Sequence, residues 1–129
     1  MPVQRFNHFN LRAPQPLLQK IRDFYVNVLG MKEGWRPPFP FPGHWLYLEE
    51  DAVLHLVEAP SDSPAPSLAV GTFDHVAFSF TGFVEFVARL RIMGLDYRKV
   101  SVPGTTQQQL FVKDPAGNGV EFNFADSDA

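Results

Sequence analysis

The sequence predicts an α+β fold made of two tandem βαβββ modules, and three observations carry that prediction. Alternating and helical patterning that starts at "FNHFNLRA" starts again at "FDHVAFSF". The two predicted helices stop on echoing stretches, "VLGMK" and "IMGLD". Imidazole and carboxylate residues also recur at matched spacing. His8 to His75 is 67 residues and His55 to Glu121 is 66, while His8 to His55 is 47 and His75 to Glu121 is 46. An internal repeat of this size means two copies of one supersecondary unit. Packing about a pseudo-twofold axis would bring residues at equivalent positions together near that axis.

The elements follow in order. "RFNHFNLRA" alternates, with Phe9 and Leu11 on one face and His8, Asn10 and Arg12 on the other, which is strand patterning with a polar second face. A helix opens at Pro14 and Pro16, carries Leu17, Ile21, Phe24, Tyr25 and Val28 at spacings of three and four, and stops at Gly30. "MKEGW" is a second strand. "RPPFPFPG" has four prolines in eight residues and is expected to be a stiff extended loop, since each proline removes a ladder donor. "HWLYLEE" and "AVLHLVEA" then form a hairpin with its turn near "EDA".

A Pro/Ser/Ala connector, "APSDSPAPSLAVGT", has neither period. It divides a first module at about 5–59 from a second at about 73–125, with the connector at about 60–72. In "FDHVAFSF", His75, Ala77 and Ser79 share one face, and Val76, Phe78 and Phe80 the other. "GFVEFVARLRIMG" is helical, with Phe83, Phe86, Val87, Leu90 and Met93 inward and Gly94 as its stop. "LDYRKVSV", "TQQQLFVKD" and "GVEFNFA" complete the second set of strands.

Composition narrows the function classes. At 129 residues, 45% hydrophobic and 19% charged, the chain is one ordinary globular domain rather than a disordered segment. A net charge of −3 without any Lys/Arg run argues against nucleic acid or an anionic membrane as partner. No cysteine is present, which excludes disulfides, thiolate nucleophiles and Cys-based zinc sites. No apolar run reaches the ~18 residues of a membrane span, and "MPVQRFNHFN" lacks a signal-peptide layout, so a cytoplasmic location is expected.

By alternation alone, His8, His75 and Glu121 fall on the strand faces turned away from the helices. A carboxylate inside "GVEFNF" needs water or a positive partner, because burying it bare costs several kcal/mol. A divalent metal is the partner that also accounts for the imidazoles. Two histidines and a carboxylate suit Fe, Zn, Mn, Ni or Co, whereas Mg and Ca prefer oxygen shells. His55 shares a face with Val53 and Val57 at the repeat-equivalent of Glu121, where it is a fourth ligand, a base beside the metal, or a core histidine. His8 and His75 can instead be hydrogen-bonded structural residues, and Glu121 can pair with Lys113 or Arg98.

With "FNHFNLRA", "FYVNVLGMK", "FDHVAFSF" and "VKDPAGNGVEFNF", the chain resembles the vicinal oxygen chelate superfamily from Phe6 to Phe124. This superfamily includes glyoxalase I, extradiol dioxygenases, methylmalonyl-CoA epimerase, and the fosfomycin- and bleomycin-resistance proteins. The resemblance implies a cup-shaped mixed sheet with the helices outside, and a divalent metal held by His8, His75 and Glu121, with His55 at the fourth position. Glyoxalase I has glutamate there, so His55 departs from that member, whereas extradiol dioxygenases need only the two histidines and the glutamate.

The remaining candidates line the expected pocket. Trp45 and Tyr47 share a face toward the cup, where they line a substrate site or pack the core. Gln107, Gln109 and Phe111 alternate toward it as well, and Asn10, Arg12 and Asn123 share faces with the ligand candidates. His44 is expected to be exposed, and "DPAGNG" to be a tight turn in which Gly117 and Asn118 accept positive φ. His55 and Glu121 are the candidate catalytic residues.

The expected function is that of a metal-dependent enzyme, dioxygenase-like or lyase/isomerase-like, chelating a small, moderately apolar substrate through vicinal oxygens. The alternative is a non-catalytic protein that sequesters a drug or metabolite, as bleomycin-resistance members do without the metal ligands. A CoA-type polyanion is disfavoured by the net charge. A homodimer is expected, with "RPPFPFPG" at the pocket rim or the subunit contact.

Overall fold

Ten elements follow the predicted order in the computed structural model, which describes residues 2–60 and 73–125. The first module runs β1 (Phe9–Ala13), α1 (Gln15–Asn27), β2 (Lys32–Gly34), β3 (Gly43–Leu48) and β4 (Asp51–Glu58). The second runs β5 (His75–Phe80), α2 (Phe83–Ile92), β6 (Arg98–Ser101), β7 (Gln108–Lys113) and β8 (Gly119–Phe124). Each module is a compact unit, one within Met1–Ser67 and the other within Leu68–Ala129. Most of the expected connector, residues 61–72, lies outside the described residues. Among those described, no helix is long and apolar enough to cross a membrane.

Both sheets have four strands and one topology, β1-β4-β3-β2 and β5-β8-β7-β6. In each, the first strand lies parallel to the last, and the two remaining pairs are antiparallel. The repeat is therefore an α+β unit written twice, down to strand register. Asn10, His55, Trp45 and Gly34 stand in one row across the first sheet. Ala77, Glu121, Phe111 and Arg98 stand in the corresponding row of the second.

Alternation decides what each sheet buries. In β4, Leu54 and Leu56 are wholly buried while His55 between them is half-buried on the opposite face. Leu46 joins those leucines, and Leu18, Ile21, Phe24 and Tyr25 of α1 close over them. The helix presents Leu18 rather than Leu17 to the core, because adjacent leucines leave its apolar phase ambiguous by one position. In the second module the core is aromatic. Phe86 of α2 packs on Phe122 (centroids 4.7 Å apart) and Phe80 (5.0 Å), and Phe83 meets Phe124 edge-on (5.3 Å). Met93 is 38% exposed, not inward, because the helix ends at Ile92. Leu95 N–H bonds Leu90 O and Gly94 N–H bonds Arg91 O, with Gly94 at φ +70° closing the turn.

Two loops differ in detail from expectation. In "DPAGNG" only Gly117 takes positive φ. Asn118 contributes through its polar groups instead: its backbone N–H and that of Ala116 donate to Asp114 Oδ1, both at 2.9 Å, and its side-chain amide donates to Oδ2 at 3.0 Å. In "RPPFPFPG" the rings of Phe39 and Phe41 stack 5.1 Å apart with the Arg36 guanidinium over both.

Candidate functional site

In the first module, three rings form a stack. His8 lies parallel to His55 with centroids 3.7 Å apart, and His55 lies on Trp45 at 3.9 Å. His8 stands one residue before β1 and is exposed, so its ring closes the open end of the stack. Hydrogen bonds fix which ring nitrogens are free. His8 donates from Nδ1 to Asn7 Oδ1 (2.6 Å), which leaves Nε2 as the ring nitrogen turned away from that bond. His55 donates from Nε2 to the Ala52 carbonyl (3.0 Å), which leaves Nδ1. Burial, reinforced by the neighbouring His8, holds the His55 imidazole below its ordinary pKa of 6.5. At pH 7 it is a neutral base or ligand. A cavity of about 270 Å³ opens beside the stack, lined in part by Phe6, Asn7, Trp45 and His55.

In the second module a charged cluster occupies the equivalent position. Glu121 is only 6% exposed, and its carboxylate has three polar partners. His75 Nε2 approaches Oε1 at 3.1 Å, while the side-chain amides of Gln109 and Asn123 donate to Oε2 at 3.0 and 3.1 Å. The other His75 nitrogen, Nδ1, donates to Asp74 Oδ2 at 2.7 Å, and that bond holds the Asp74 carboxyl below its usual range. Glu121 thus takes His75 and two amides as partners, not Lys113 or Arg98. The Phe111 ring meets His75 edge-on at 5.6 Å and carries the Arg98 guanidinium 4.6 Å over its face.

Gly119 is what lets β8 close on β5 here. A Cβ at Gly119 would stand 2.6 Å from the Asp74 carbonyl oxygen and 3.0 Å from His75 Cβ. Gly119→Ala is therefore expected to destabilise the protein by about 1–3 kcal/mol, measured by urea denaturation, because the strand pair must part.

The other expected residues are placed as follows. Asn10 and Arg12 lie exposed on the His55 face of β1. Tyr47 stands on the inner strand β3, its ring over Gly34 of β2 and its hydroxyl donating to the Trp35 carbonyl at 2.5 Å. Gln107 stands before β7 begins and belongs to the 102–107 turn, where its N–H donates to Thr105 Oγ1. His44 is not free: its Nδ1 donates to Glu33 Oε2 at 2.7 Å, and Arg22 of α1 binds Oε1 at 2.8 Å. Burial pushes Glu33 up, but His44 and Arg22 more than offset it, and the carboxyl lies below its ordinary range. Among the described residues, no group of three or more His, Cys, Asp or Glu side chains gathers as a metal site; the candidates stand in pairs, one in each module.

The His75–Glu121 pair suits a divalent ion in its chemistry. Two ligands at about 2.1 Å from one metal and at right angles to each other lie ~3 Å apart. The 3.1 Å between Nε2 and Oε1 is that separation. Asp74 behind Nδ1 and the amides behind Oε2 are the outer hydrogen bonds that aim such ligands. His8, with Nδ1 on Asn7, has Nε2 left for ligation, and His55, with Nε2 on the Ala52 carbonyl, has Nδ1.

Fold and side-chain clusters together define a tandem βαβββ protein with His55 and Glu121 at equivalent register positions. The chain belongs to the Glyoxalase/Bleomycin resistance protein/Dioxygenase superfamily, whose sequence model matches residues 5–122. No curated protein matches it in sequence. Its fold is shared with lactoylglutathione lyase from Agrobacterium tumefaciens (20% identity, 98% of each chain covered, TM-score 0.67). It is shared too with the fosfomycin resistance protein FosX from Listeria monocytogenes (16%, 95% of this chain and 94% of the other, 0.71). A third structure of the same fold is TnmS3, an antibiotic-binding protein from Streptomyces (18%, 97% and 98%, 0.70).

Proposed function

We propose that the protein is a metal-dependent enzyme, cytoplasmic and homodimeric, that binds a small molecule through two vicinal oxygens and moves a proton or cleaves a bond beside them. The observation that carries this reading is the buried Glu121 facing His75 Nε2 at 3.1 Å, with every outer atom of the pair already hydrogen-bonded. His8, His55, His75 and Glu121 are the residues that would hold the ion, whether one chain or two supply them. The ion, one of Fe, Zn, Mn, Ni or Co, would supply Lewis-acid stabilisation of negative charge on the chelated oxygens.

The protein's own groups do the rest. Asp74 keeps a proton on His75 Nδ1 and so presents Nε2. Gln109 and Asn123 hold one Glu121 oxygen and leave the other directed at His75. His55, neutral and anchored on Ala52, keeps Nδ1 free as a proton acceptor, and Trp45 walls off one face of its ring. Trp45 and Phe6 give the first-module cavity the apolar lining a small organic substrate needs.

The second reading, a protein that only sequesters its ligand, is favoured by the same ring stack, a ready surface for a flat molecule. Calorimetric titration of metal-free protein with Mn, Fe, Co, Ni and Zn separates the two. Tight stoichiometric binding of at least one ion is expected. Failure of all five would overturn the enzyme reading.

A further inference from the structure

One cavity of the first module lies away from the ring stack. It opens on the helix side of the sheet, where the start of α1, the loop before β3 and the end of β4 meet, and has a volume of about 660 Å³. Glu58 follows Leu54 and Leu56 in the alternation of β4, so it stands on the face opposite His55. It is half-buried and borders the cavity, and among the described residues it makes no salt bridge.

Five of the nine lining residues are prolines: Pro14, Pro16, Pro40, Pro42 and Pro60. A proline carries a carbonyl but no N–H, so this wall offers acceptors without donors. Two other lining residues have spent their donors on backbone. Glu58 N–H bonds Pro42 O at 3.0 Å, and Ala59 N–H bonds Ala13 O at 2.8 Å. The start of α1 is a poor anion site for the same reason. Of the four N–H groups that a helix start leaves open, those at positions 14 and 16 do not exist.

The charge of the cavity needs no histidine. Glu58 is the one ionisable residue in its lining, which therefore carries a formal charge of −1. Arg36, whose guanidinium lies on the Phe39 and Phe41 rings, is not part of that lining. It sits over Gly43, on the sheet face that carries Trp45 and His55.

We propose that this cavity binds a small organic cation, a protonated amine on an apolar body. Glu58 pairs with the ammonium group, carbonyl oxygens of the proline wall accept its remaining hydrogens, and Phe41 and the proline rings cover the body. The site stands on the side of the sheet turned away from His55, and its occupancy does not depend on a metal ion.

Phenethylamine is the probe, with phenylethanol as its neutral counterpart and phenylpropionate as its anionic one. Each is titrated into the metal-free full chain and followed by backbone amide NMR shifts. Phenethylamine is expected to shift the amides of Gln15, Phe41, Glu58 and Ala59, and to bind about 10-fold more tightly than phenylethanol, the difference a hydrogen bond to a charged group makes. Phenylpropionate is expected to bind weakest. Glu58→Gln removes the charge, and Gln15→Lys sets a cation at the rim while Glu58 stays. Both are expected to abolish the preference for the amine with the remaining amide pattern native, and the second decides alone if the first does not fold. Equal affinity for phenethylamine and phenylethanol in the wild type would overturn the proposal. So would an undiminished preference in the folded variants, or shifts confined to the neighbours of Trp45 and His55.

Discussion

Glu121→Gln is expected to lower divalent-metal affinity at least ~100-fold while the chain still folds. Removing a hydrogen-bond partner behind a metal ligand already costs ~10–100-fold, and removing the negative ligand itself costs no less. Glutamine keeps the length of the side chain and one oxygen acceptor, so Gln109 and Asn123 retain a partner. What changes is the charge, and the group facing His75 Nε2, which becomes an N–H₂ donor. Loss of the charge that strengthens the hydrogen bonds from Gln109 and Asn123 costs about 1–3 kcal/mol of stability at this buried position, enough to see by denaturation and too little to unfold the protein. Calorimetry on the metal-free variant checks the first effect. Unchanged affinity would remove Glu121 from the ligand set.

The adjacent substitution, Phe122→Ala, is expected to do the opposite: cost about 3–5 kcal/mol of folding stability. Phe122 is wholly buried, packs edge-on against Phe80 at 4.9 Å, and meets Phe86 of α2 at 4.7 Å. It registers with Leu110 on β7 and Phe78 on β5, so the cavity left by alanine is walled by two strands and a helix and cannot readily collapse. Guanidinium denaturation should show the midpoint falling at an unchanged slope. One residue apart on the same strand, positions 121 and 122 thus separate chemistry from folding, since successive side chains point to opposite faces.

Much of this was legible in the sequence because period-2 alternation and repeat spacing are local, additive signals. "AVLHLVEA" and "GVEFNF" declared which residues face the helices, and the 66-residue spacing from His55 to Glu121 is reproduced in strand register, with Trp45 and Phe111 beside them. The misses have other causes. The Arg22–Glu33–His44 cluster needs α1, β2 and β3 brought together, and no sequence period encodes that. Leu17 and Leu18 both satisfy a helical stripe, and only packing chooses between them. Gln107 fell to a turn because β7 starts one residue later than the alternation suggested. Asn7 and Asp74, which set the ring nitrogens of His8 and His75, escaped notice because a polar residue before a strand looks like any loop residue.

The matched rows have a consequence for how the two modules can change over time. If one module were made once and paired with its own copy, any substitution would appear at both equivalent positions, and the two sheets would stay identical. Writing the module twice in one chain frees the copies from each other. Position 55 can hold an imidazole stacked on Trp45 while position 121 holds a carboxylate braced by amides. Gly34 can end its row beneath the Tyr47 ring while Arg98 ends the other with a cation. Division of labour between the halves, one supplying neutral nitrogen and aromatic surface and the other supplying charge, is thus open to a tandem chain and closed to a symmetric pair.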